Sequence, residues 1–261
     1  MAEGDIARFT AFAETLADAA RAAILPFFRA PHVVENKGGA LFDPVTEADR
    51  AAEAAMRALI EREFPTHGIQ GEEFGVKASQ DGHAWVLDPI DGTRAFIAGL
   101  PLWGVLIALS YQGKPIVGVM DQPYLDERYR GARDSATVTS RGQTRALKTR
   151  ACARLSEAIL SSTDHSLFNG PEADAFERVR AAAKLTRYGY DCYAYAMVAA
   201  GYIDCVIESG LKPHDIQALI PILEGAGGGV CAWDGGEASQ GGQVLAYGDA
   251  RVRDEVLALL R

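Results

Sequence analysis

The chain has 261 residues, of which 48% are hydrophobic and 23% charged, and its formal net charge at pH 7 is −9. This length suits one large domain or two packed halves, and the composition is that of an ordinary globular protein. The acidic balance argues against a surface for nucleic acid or anionic membranes, because both require basic patches. We therefore expect neither of them as a partner.

The 4 cysteines are scattered, with no CxxC pair and no zinc spacing. This predicts free or buried thiols in a reducing compartment. Charged residues interrupt the apolar ones near the N-terminus, and no stretch reaches the roughly 18 apolar residues of a membrane span. We therefore expect a cytoplasmic protein.

The first half of the chain begins with an amphipathic helix, which the spacing of apolar residues predicts over 5–28. A loop or hairpin is expected at 29–40, where Lys37 either meets a phosphate or is solvated. Thr46, with Asp49 three residues later, predicts the N-cap and capping box of a helix that ends near Phe64. Strands are predicted at 67–70, 85–87, 103–110, 114–120, 127–132 and 136–140, the last four in one antiparallel sheet.

The second half alternates helices and strands, which is typical of α/β proteins. A basic and polar segment at 144–150 predicts the boundary between an N-terminal half, 1–148, and a C-terminal half, 149–261. The glycines at 225–229 follow a helix and lack the GxGxxG spacing, so they predict a helix C-cap and not a nucleotide site. Helices are predicted at 172–183, 192–200, 215–224 and 249–260, and strands at 158–162, 185–187, 204–208, 230–233 and 243–246.

The segment WVLDPIDGTRAF, residues 85–96, combines a strand with two acids and a Gly-Thr turn. Asp88 and Asp91 could bind hard cations through oxygen, and the backbone N–H groups of Gly92 and Thr93 could hold a phosphate. Alternatively, both aspartates only make Asx turns in a loop.

Further acids stand at loops and element ends. Asp43 precedes the helix that starts near Thr46, and Glu72 lies in GEEFG, residues 71–75, which is either a solvated turn or a ligand site. Together with Asp88, Asp91 and Asp215 they suggest an oxygen-only site, which favours Mg²⁺, Mn²⁺ or Ca²⁺ over zinc. Two such ions about 4 Å apart can activate water and stabilise a leaving oxygen in phosphate-ester hydrolysis.

Four motifs occur along the chain in this order: DPVTEAD (43–49), GEEFG (71–75), WVLDPIDGT (85–93) and the HD-helix-GAGG block (214–228). They resemble the motifs of the Mg²⁺-dependent, lithium-sensitive inositol monophosphatase family, and the resemblance covers nearly the whole chain. It implies an α+β or α/β fold built as a layered α-β-α-β-α sandwich, and a homodimer. It also implies a small phosphate ester as substrate and about two to three Mg²⁺ ions per active site, with Mn²⁺ as an alternative.

The family pattern also implies metal ligands. Glu72 would bind the first metal and help to position the attacking water, and Asp88 would bridge two metals. The carbonyl of Ile90 would bind one of them, and Asp91 and Asp215 would complete the second site.

The same resemblance implies that Thr93 orients the attacking water, with Asp43 hydrogen-bonded behind it. The N–H groups of Gly92 and Thr93 would hold the phosphate, and Asp91 would also contact the substrate.

Two segments depart from the inositol enzymes, which typically have a Trp before the last metal aspartate. LKPHDIQALIPILEGAGG from Leu211 and RYGYDCYAYA at 187–196 resemble the histidinol-phosphate phosphatase branch of the family. There Asp191 replaces a small residue of the substrate pocket, and Asp191 and Glu208 could pair with the ammonium and imidazole of histidinol phosphate. A helix N-cap is the alternative role for Asp191.

The sequence therefore predicts a Mg²⁺-dependent phosphomonoesterase that acts on L-histidinol phosphate in histidine biosynthesis. Inositol-1-phosphate, a nucleotide bisphosphate and fructose-1,6-bisphosphate are alternative substrates, although Asp191 and Glu208 argue against polyanions. A non-catalytic metal- or phosphate-binding regulator is the alternative of another class. The intact set of predicted ligands argues against it.

Overall fold

A computed structural model of the chain describes residues 3–30, 34–36, 44–132 and 134–261, with side chains left out at 34–36, 44 and 45. Asp43, a predicted site residue, and Lys37 of the predicted loop lie outside the described residues. Within the described part, eight α-helices and two large sheets build a mixed α/β structure. No helix in these ranges is long and apolar enough to cross a membrane.

The helices follow the predicted amphipathic segments closely. Thr46 caps the second helix: its hydroxyl accepts a hydrogen bond from the N–H of Ala48 at 3.2 Å, and Asp49 accepts one from the N–H of Thr46 at 2.8 Å. This confirms the predicted capping box. The helices are α1 (Glu3–Ile24), α2 (Glu47–Glu63), α3 (Thr93–Ile97), α4 (Pro171–Ala182), α5 (Asp191–Ala199), α6 (Pro213–Ile216), α7 (Leu219–Gly225) and α8 (Ala250–Leu260).

The strands include every predicted one and add short edge strands. The four consecutive strands predicted between 103 and 140 do form one antiparallel meander. In the described ranges the strands are β1 (Val34–Asn36), β2 (Pro44–Thr46), β3 (Gly68–Gly71), β4 (Val76–Lys77), β5 (His83–Asp91), β6 (Gly104–Tyr111), β7 (Lys114–Gln122), β8 (Glu127–Ala132), β9 (Ser135–Ser140), β10 (Gln143–Ala146), β11 (Ile159–Ser162), β12 (Leu185–Tyr188), β13 (Cys205–Leu211), β14 (Gly229–Ala232) and β15 (Gly242–Tyr247).

Two sheets are stacked between three layers of helices. The larger sheet has the order β10-β9-β8-β7-β6-β5-β3-β4, and the smaller has the order β12-β11-β13-β15-β14. Helices α1 and α2 cover the outer face of the larger sheet, α5, α6 and α7 lie between the sheets, and α4 and α8 cover the smaller one. The predicted layered α-β-α-β-α sandwich is confirmed.

The central strands are buried on both faces, and their side chains alternate between separate cores. Trp85 and Leu87 point to the core beneath α1 and α2, whereas Val86 points to the core between the sheets. Ile207 likewise faces α4 and α8, whereas Val206 faces the central layer. This period of two within an almost wholly apolar run is what a sheet covered on both faces requires.

The central helix α7 lies directly on the larger sheet because two glycines leave room for it. A Cβ on Gly118 would lie 1.9 Å from the carbonyl oxygen of Ala218, and one on Gly131 would lie 2.3 Å from the backbone of Pro221. Gly118 and Gly131 are paired across β7 and β8, so together they form one shallow groove. This close contact positions α6, which precedes α7 and carries Asp215, against β5, which carries Asp88.

Three predicted boundaries were wrong. The first helix ends at Ile24, and the next five residues form turns. The helix predicted at 215–224 is two helices separated at Gln217 and Ala218. Strand β5 continues through Asp88 to Asp91, so Asp88 lies inside a strand and not on a loop; a register shift between the two aspartates accommodates Pro89, which has no N–H to donate.

The four cysteines are buried and free in the described structure, as predicted. The boundary between halves near residue 148 stays a prediction. The larger sheet lies before it and the smaller one after it, but α7 of the second half packs on β7, β8 and β9 of the first.

Candidate active site

One open cavity of about 260 Å³ lies at the carboxyl ends of β3, β5 and β13. All nine predicted site residues within the described ranges line it. Asp43, the tenth, lies outside those ranges. The nine are Glu72, Asp88, Ile90, Asp91, Gly92, Thr93, Asp191, Glu208 and Asp215.

The pairing of two parallel strands brings the first two acids together. Strand β3 runs parallel to β5 with Gly71 opposite Leu87, so Glu72 and Asp88 are the next residues at the same edge of the sheet. The N–H of Glu72 donates to the carbonyl of Leu87 at 3.3 Å, which continues this pairing.

A buried glutamate of α2 shapes the GEEFG segment. Glu53 is fully buried and accepts the N–H groups of Glu73 at 2.7 Å and Phe74 at 3.1 Å. Its carboxylate also pairs with Arg57 at 2.7 Å and lies where a Cβ on Gly71 would be. Sequence reasoning missed this anchor, since Glu53 reads as one more polar residue of an amphipathic helix.

Asp91 and Asp215 are each fixed by one backbone N–H, which leaves the other carboxylate oxygen for the site. Asp91 Oδ2 accepts from Cys192 at 2.6 Å, and Asp215 Oδ2 accepts from Lys212 at 2.7 Å. Asp91 is therefore the carboxylate that caps α5. The alternative role of Asp191 as the N-cap was wrong, since α5 starts at Asp191 itself.

The Gly92-Thr93 turn depends on the backbone freedom of glycine. Gly92 has φ of 83°, and a Cβ there would lie 3.0 Å from Cβ of Asp191. Thr93 starts the short helix α3 and donates its hydroxyl to the carbonyl of Ile90 at 3.0 Å. The carbonyl predicted as a metal ligand is thereby held in place, and its second lone pair stays available.

The acids lie close enough to share cations. Single carboxylate oxygens of Asp88, Asp91 and Asp215 lie within 4.8 Å of one another. Asp88 is only 2% exposed, and its Oδ1 has no hydrogen-bond partner. A buried charged oxygen without a partner is costly, and hard divalent cations are the natural partners of such oxygens.

The electrostatics of the bare site point the same way. Burial, and then repulsion by Glu72, Asp91 and Asp215, raises the pKa of Asp88 well above its ordinary value. Burial, Asp191 and Asp215 do the same for the pKa of Asp91. Burial raises the pKa of Asp215 even though His214 and Lys212 oppose this. Cations would remove these penalties, so the residues present fit a metal centre.

A second acidic pair lies across the cavity. Glu208 is 2% exposed; its Oε1 accepts the N–H of Thr163 at 2.7 Å, and its Oε2 has no partner. Burial, opposed by the Thr163 hydrogen bond and supported by Asp191 and Asp215, raises its pKa to about 8. Burial raises the pKa of Asp191 to about 6, opposed by Arg94.

Sequence reasoning assigned no role to Thr163 or to three other residues that line the cavity. Arg94 follows the Gly-Thr turn directly, and Lys212 and His214 stand within three residues of Asp215. Position next to a predicted ligand is the signal that could have found Arg94, Lys212 and His214. Thr163 follows an unremarkable strand, β11, and carries no such signal.

Another group with metal-like composition lies at the opposite end of β5. His67, Asp81 and His83 bring ligand atoms within 4.8 Å of one another. However, Nδ1 of His67 accepts the indole N–H of Trp85 at 3.1 Å, so the neutral ring carries its proton on Nε2, which faces Asp81. Burial lowers the pKa of His67 to about 4 and keeps it neutral. The group is a hydrogen-bonded chain and does not present a free nitrogen of His67 to a metal.

Comparison with known proteins agrees with this geometry. The layered fold and the acid-lined cavity are those of a phosphatase of mixed α/β structure. The model of the inositol monophosphatase family matches residues 5–259, and the chain belongs to this family. The family is metal-dependent, and the acidic groups described above could bind metal.

Three proteins similar to the chain differ in the activities that their names give. The chain is 42% identical over 271 residues to the chloroplastic bifunctional phosphatase IMPL2 of Arabidopsis thaliana, covering 100% of this chain and 77% of that protein. It is 36% identical to a histidinol-phosphatase of Streptomyces coelicolor over 95% of both chains. The structure of an inositol monophosphatase from Zymomonas mobilis superimposes with a TM-score of 0.85 at 41% identity, covering 99% of this chain and 98% of that one.

Proposed function

We propose that the chain is a Mg²⁺-dependent phosphomonoesterase that hydrolyses L-histidinol phosphate to L-histidinol and phosphate, a step of histidine biosynthesis. The observation that carries the choice of substrate is the acidic pair of half-buried Asp191 and buried Glu208, in the same cavity as the metal-type acids. Glu208 keeps one buried oxygen without a partner, which the ammonium group of histidinol would satisfy.

In this proposal Glu72, Asp88, Asp91, Asp215 and the carbonyl of Ile90 hold the metal ions. When bound, two such ions supply Lewis-acid stabilisation of the phosphate oxygens and lower the pKa of water. Mg²⁺ is the expected ion and Mn²⁺ the alternative, because every predicted ligand is an oxygen.

The remaining residues position the reactants. Glu72 and Thr93 orient the attacking water, and the N–H groups of Gly92 and Thr93 hold the phosphate. The family resemblance assigns to Asp43, which lies outside the described residues, a hydrogen bond that supports Thr93. Thr93 is suited to this role because its hydroxyl is fixed by the Ile90 carbonyl at 3.0 Å, so its lone pairs have a defined direction.

The leaving alcohol faces the second acidic pair. Asp191 and Glu208 bind the ammonium and imidazole of histidinol, and Asp91 holds the start of α5 so that Asp191 points into the cavity. A polyanionic substrate would gain nothing from two further carboxylates, since like charges are repelled.

The second candidate function is hydrolysis of inositol-1-phosphate. The similarity to the inositol monophosphatase of Zymomonas mobilis, at 41% identity, favours it. The two candidates share metals and chemistry and differ only in what Asp191 and Glu208 recognise.

The test is phosphate release from L-histidinol phosphate and inositol-1-phosphate measured side by side, with Mg²⁺ and with excess EDTA. We expect kcat/KM to favour histidinol phosphate by more than about 100-fold, roughly 2.7 kcal/mol, and release to stop with EDTA. The reverse preference would establish the inositol candidate. No release from either substrate would leave a metal- or phosphate-binding regulator.

We also propose that the protein forms a homodimer. An apolar groove of about 490 Å³ supports this, with Leu185 on the edge strand β12 and Tyr202 among its lining residues. Leu185 is 47% exposed and Tyr202 60% exposed, which is unusual for side chains of this size in one patch. Sedimentation of the wild type and of Tyr202→Glu decides the matter: we expect a dimer that the substitution dissociates.

A further inference from the structure

An imidazole stands among the acids of the proposed metal centre. His214 is the second residue of α6 and is 8% exposed. One of its ring nitrogens and single carboxylate oxygens of Glu72 and Asp88 lie within 4.8 Å of one another. Three ligand atoms at such separations can converge on one ion after small side-chain adjustments.

The position of the ring follows from its neighbours. Pro213 occupies the first turn of α6, where its fixed φ is already helical. Asp215 is anchored through Oδ2 by the N–H of Lys212, and its Oδ1 lies 3.4 Å from Nε2 of His214. The imidazole thus lies beside carboxylate oxygens of three acidic residues, Glu72, Asp88 and Asp215.

A second observation points to a cation at this place. Oδ1 of Asp88 is buried and has no hydrogen-bond partner, although Asp88 is only 2% exposed. Nothing else in the described structure satisfies that oxygen. A cation held between Asp88, Glu72 and His214 would do so.

We propose that His214 supplies a nitrogen ligand to the cation that Glu72 and Asp88 hold, so that this centre is a mixed nitrogen and oxygen site. The inference rests on the proposed metal-dependent function. A nitrogen ligand favours Mn²⁺ and later transition ions over Mg²⁺, because imidazole is a softer donor than carboxylate. The centre therefore discriminates between Mn²⁺ and Mg²⁺ more strongly than an oxygen-only site does.

Pulsed electron paramagnetic resonance of the full chain loaded with Mn²⁺ tests the ligand directly. We expect modulation from a directly bound imidazole nitrogen, which changes from the ¹⁴N to the ¹⁵N pattern when the protein is made with ¹⁵N-labelled histidine. The signal should vanish in His214→Asn and persist in the matched controls His165→Gln and His32→Gln.

Competition between Mn²⁺ and Mg²⁺, followed by the signal of free Mn²⁺, gives a second readout without activity. In the wild type we expect Mn²⁺ to bind more tightly than Mg²⁺. In His214→Asn the ratio of the dissociation constant for Mg²⁺ to that for Mn²⁺ should be smaller by at least about tenfold, and His214→Phe should show the same change. If neither variant folds, the isotope effect in the wild type together with its persistence in both controls still identifies His214, because His67 and His83 lie at the other end of β5.

Three results would overturn the inference. Mn²⁺ that binds without any effect of the histidine label would show an oxygen-only site and leave the proposed phosphatase intact. A signal that disappears in His32→Gln would assign the ligand to another histidine. Failure of both Mn²⁺ and Mg²⁺ to bind, together with absent phosphate release, would remove the inference and the proposed function at once.

Discussion

Glu208→Gln offers the sharpest test of the electrostatics of the cavity. Burial raises the pKa of Glu208 from 4.5 to about 8. Between these two values the folded protein keeps the proton on this carboxyl and the unfolded chain has lost it. The contribution of Glu208 to the free energy of unfolding is therefore fully present below about pH 4.5. It falls as the pH rises, because the unfolded state then binds fewer protons than the folded state.

The size of the effect follows from the shift. Each pH unit in this window costs about 1.4 kcal/mol, so the wild type loses at most about 5 kcal/mol of its free energy of unfolding up to pH 8 through this group. Glutamine has the same shape, keeps the acceptor for the N–H of Thr163, and cannot ionise. The free energy of unfolding of the variant, relative to that of the wild type, should rise steadily from pH 4.5 to 8.

Urea unfolding of both proteins at half-unit pH intervals, with EDTA present and substrate absent, measures this difference. Glu177→Gln is a control without a slope in this window, because Arg180 holds the pKa of Glu177 below its ordinary value of 4.5. The contribution of that side chain to stability is fully present above its ordinary pKa and is lost only at lower pH, so the difference between this control and the wild type should stay constant from about pH 5.5 to 8. If the free energies of unfolding of the wild type and of Glu208→Gln change with pH in the same way, the reasoning is refuted.

The proton on the Glu208 carboxyl that affects stability should also affect the binding of L-histidinol. A buried carboxyl that is neutral at pH 7 must ionise when it pairs with an ammonium group. Binding of L-histidinol, the alcohol product, should therefore release up to one proton near pH 7. Calorimetry in buffers of different ionisation enthalpy measures that proton, and it should be absent in Glu208→Gln.

The remaining predictions concern the metal ligands, the substrate contact and the fold. Asp88→Asn should abolish turnover and weaken Mg²⁺ binding, and near-normal activity would contradict the site. Mg²⁺ at 100 times its dissociation constant should raise the free energy of unfolding by about 2.7 kcal/mol, and EDTA should reverse this. Asp191→Asn, which tolerates the φ of 44° at this position, should raise KM for histidinol phosphate at least about tenfold more than for a neutral phosphate ester; equal effects would remove the contact. Gly118→Ala should cost about 1–3 kcal/mol in urea unfolding because α7 must move, whereas Gly4→Ala, which meets no neighbour, should be neutral or stabilising.

Most of the layered fold could be predicted because its signals are local. The capping box at Thr46 and the apolar runs of β6 and β7 each specify one element without help from the rest of the chain. The order of the layers came from resemblance, since nothing in the periodicity says that α5 and α7 lie between two sheets. That arrangement depends on long-range packing, including the groove at Gly118 and Gly131.

The grouping of the acids could be anticipated because Glu72 and Asp91 stand at strand ends, and the parallel pairing of β3 with β5 then brings Glu72 beside Asp88. The break in the helix after Asp215 could not be anticipated, because the residues around Gln217 are good helix formers. Gln217 is instead held by tertiary contacts: its side-chain carbonyl accepts the hydroxyl of Ser110 at 2.5 Å, and its amide donates to the backbone of Ser239 at 3.1 Å. Tertiary hydrogen bonds of this kind leave no pattern in sequence.

The charge balance of the cavity argues for a cationic leaving group. Six carboxylates line it, and a phosphate monoester brings about −2 more. Divalent cations held by Glu72, Asp88, Asp91 and Asp215 would neutralise the phosphate and those four acids, but Asp191 and Glu208 are not among the proposed metal ligands. Beside a neutral polyol the charge of Asp191 would stay uncompensated, and Glu208 would keep its proton. An ammonium and an imidazole attached to the leaving oxygen place positive charge where these two side chains lie, and for this reason we expect specificity to reside in this pair and not in the metal ligands.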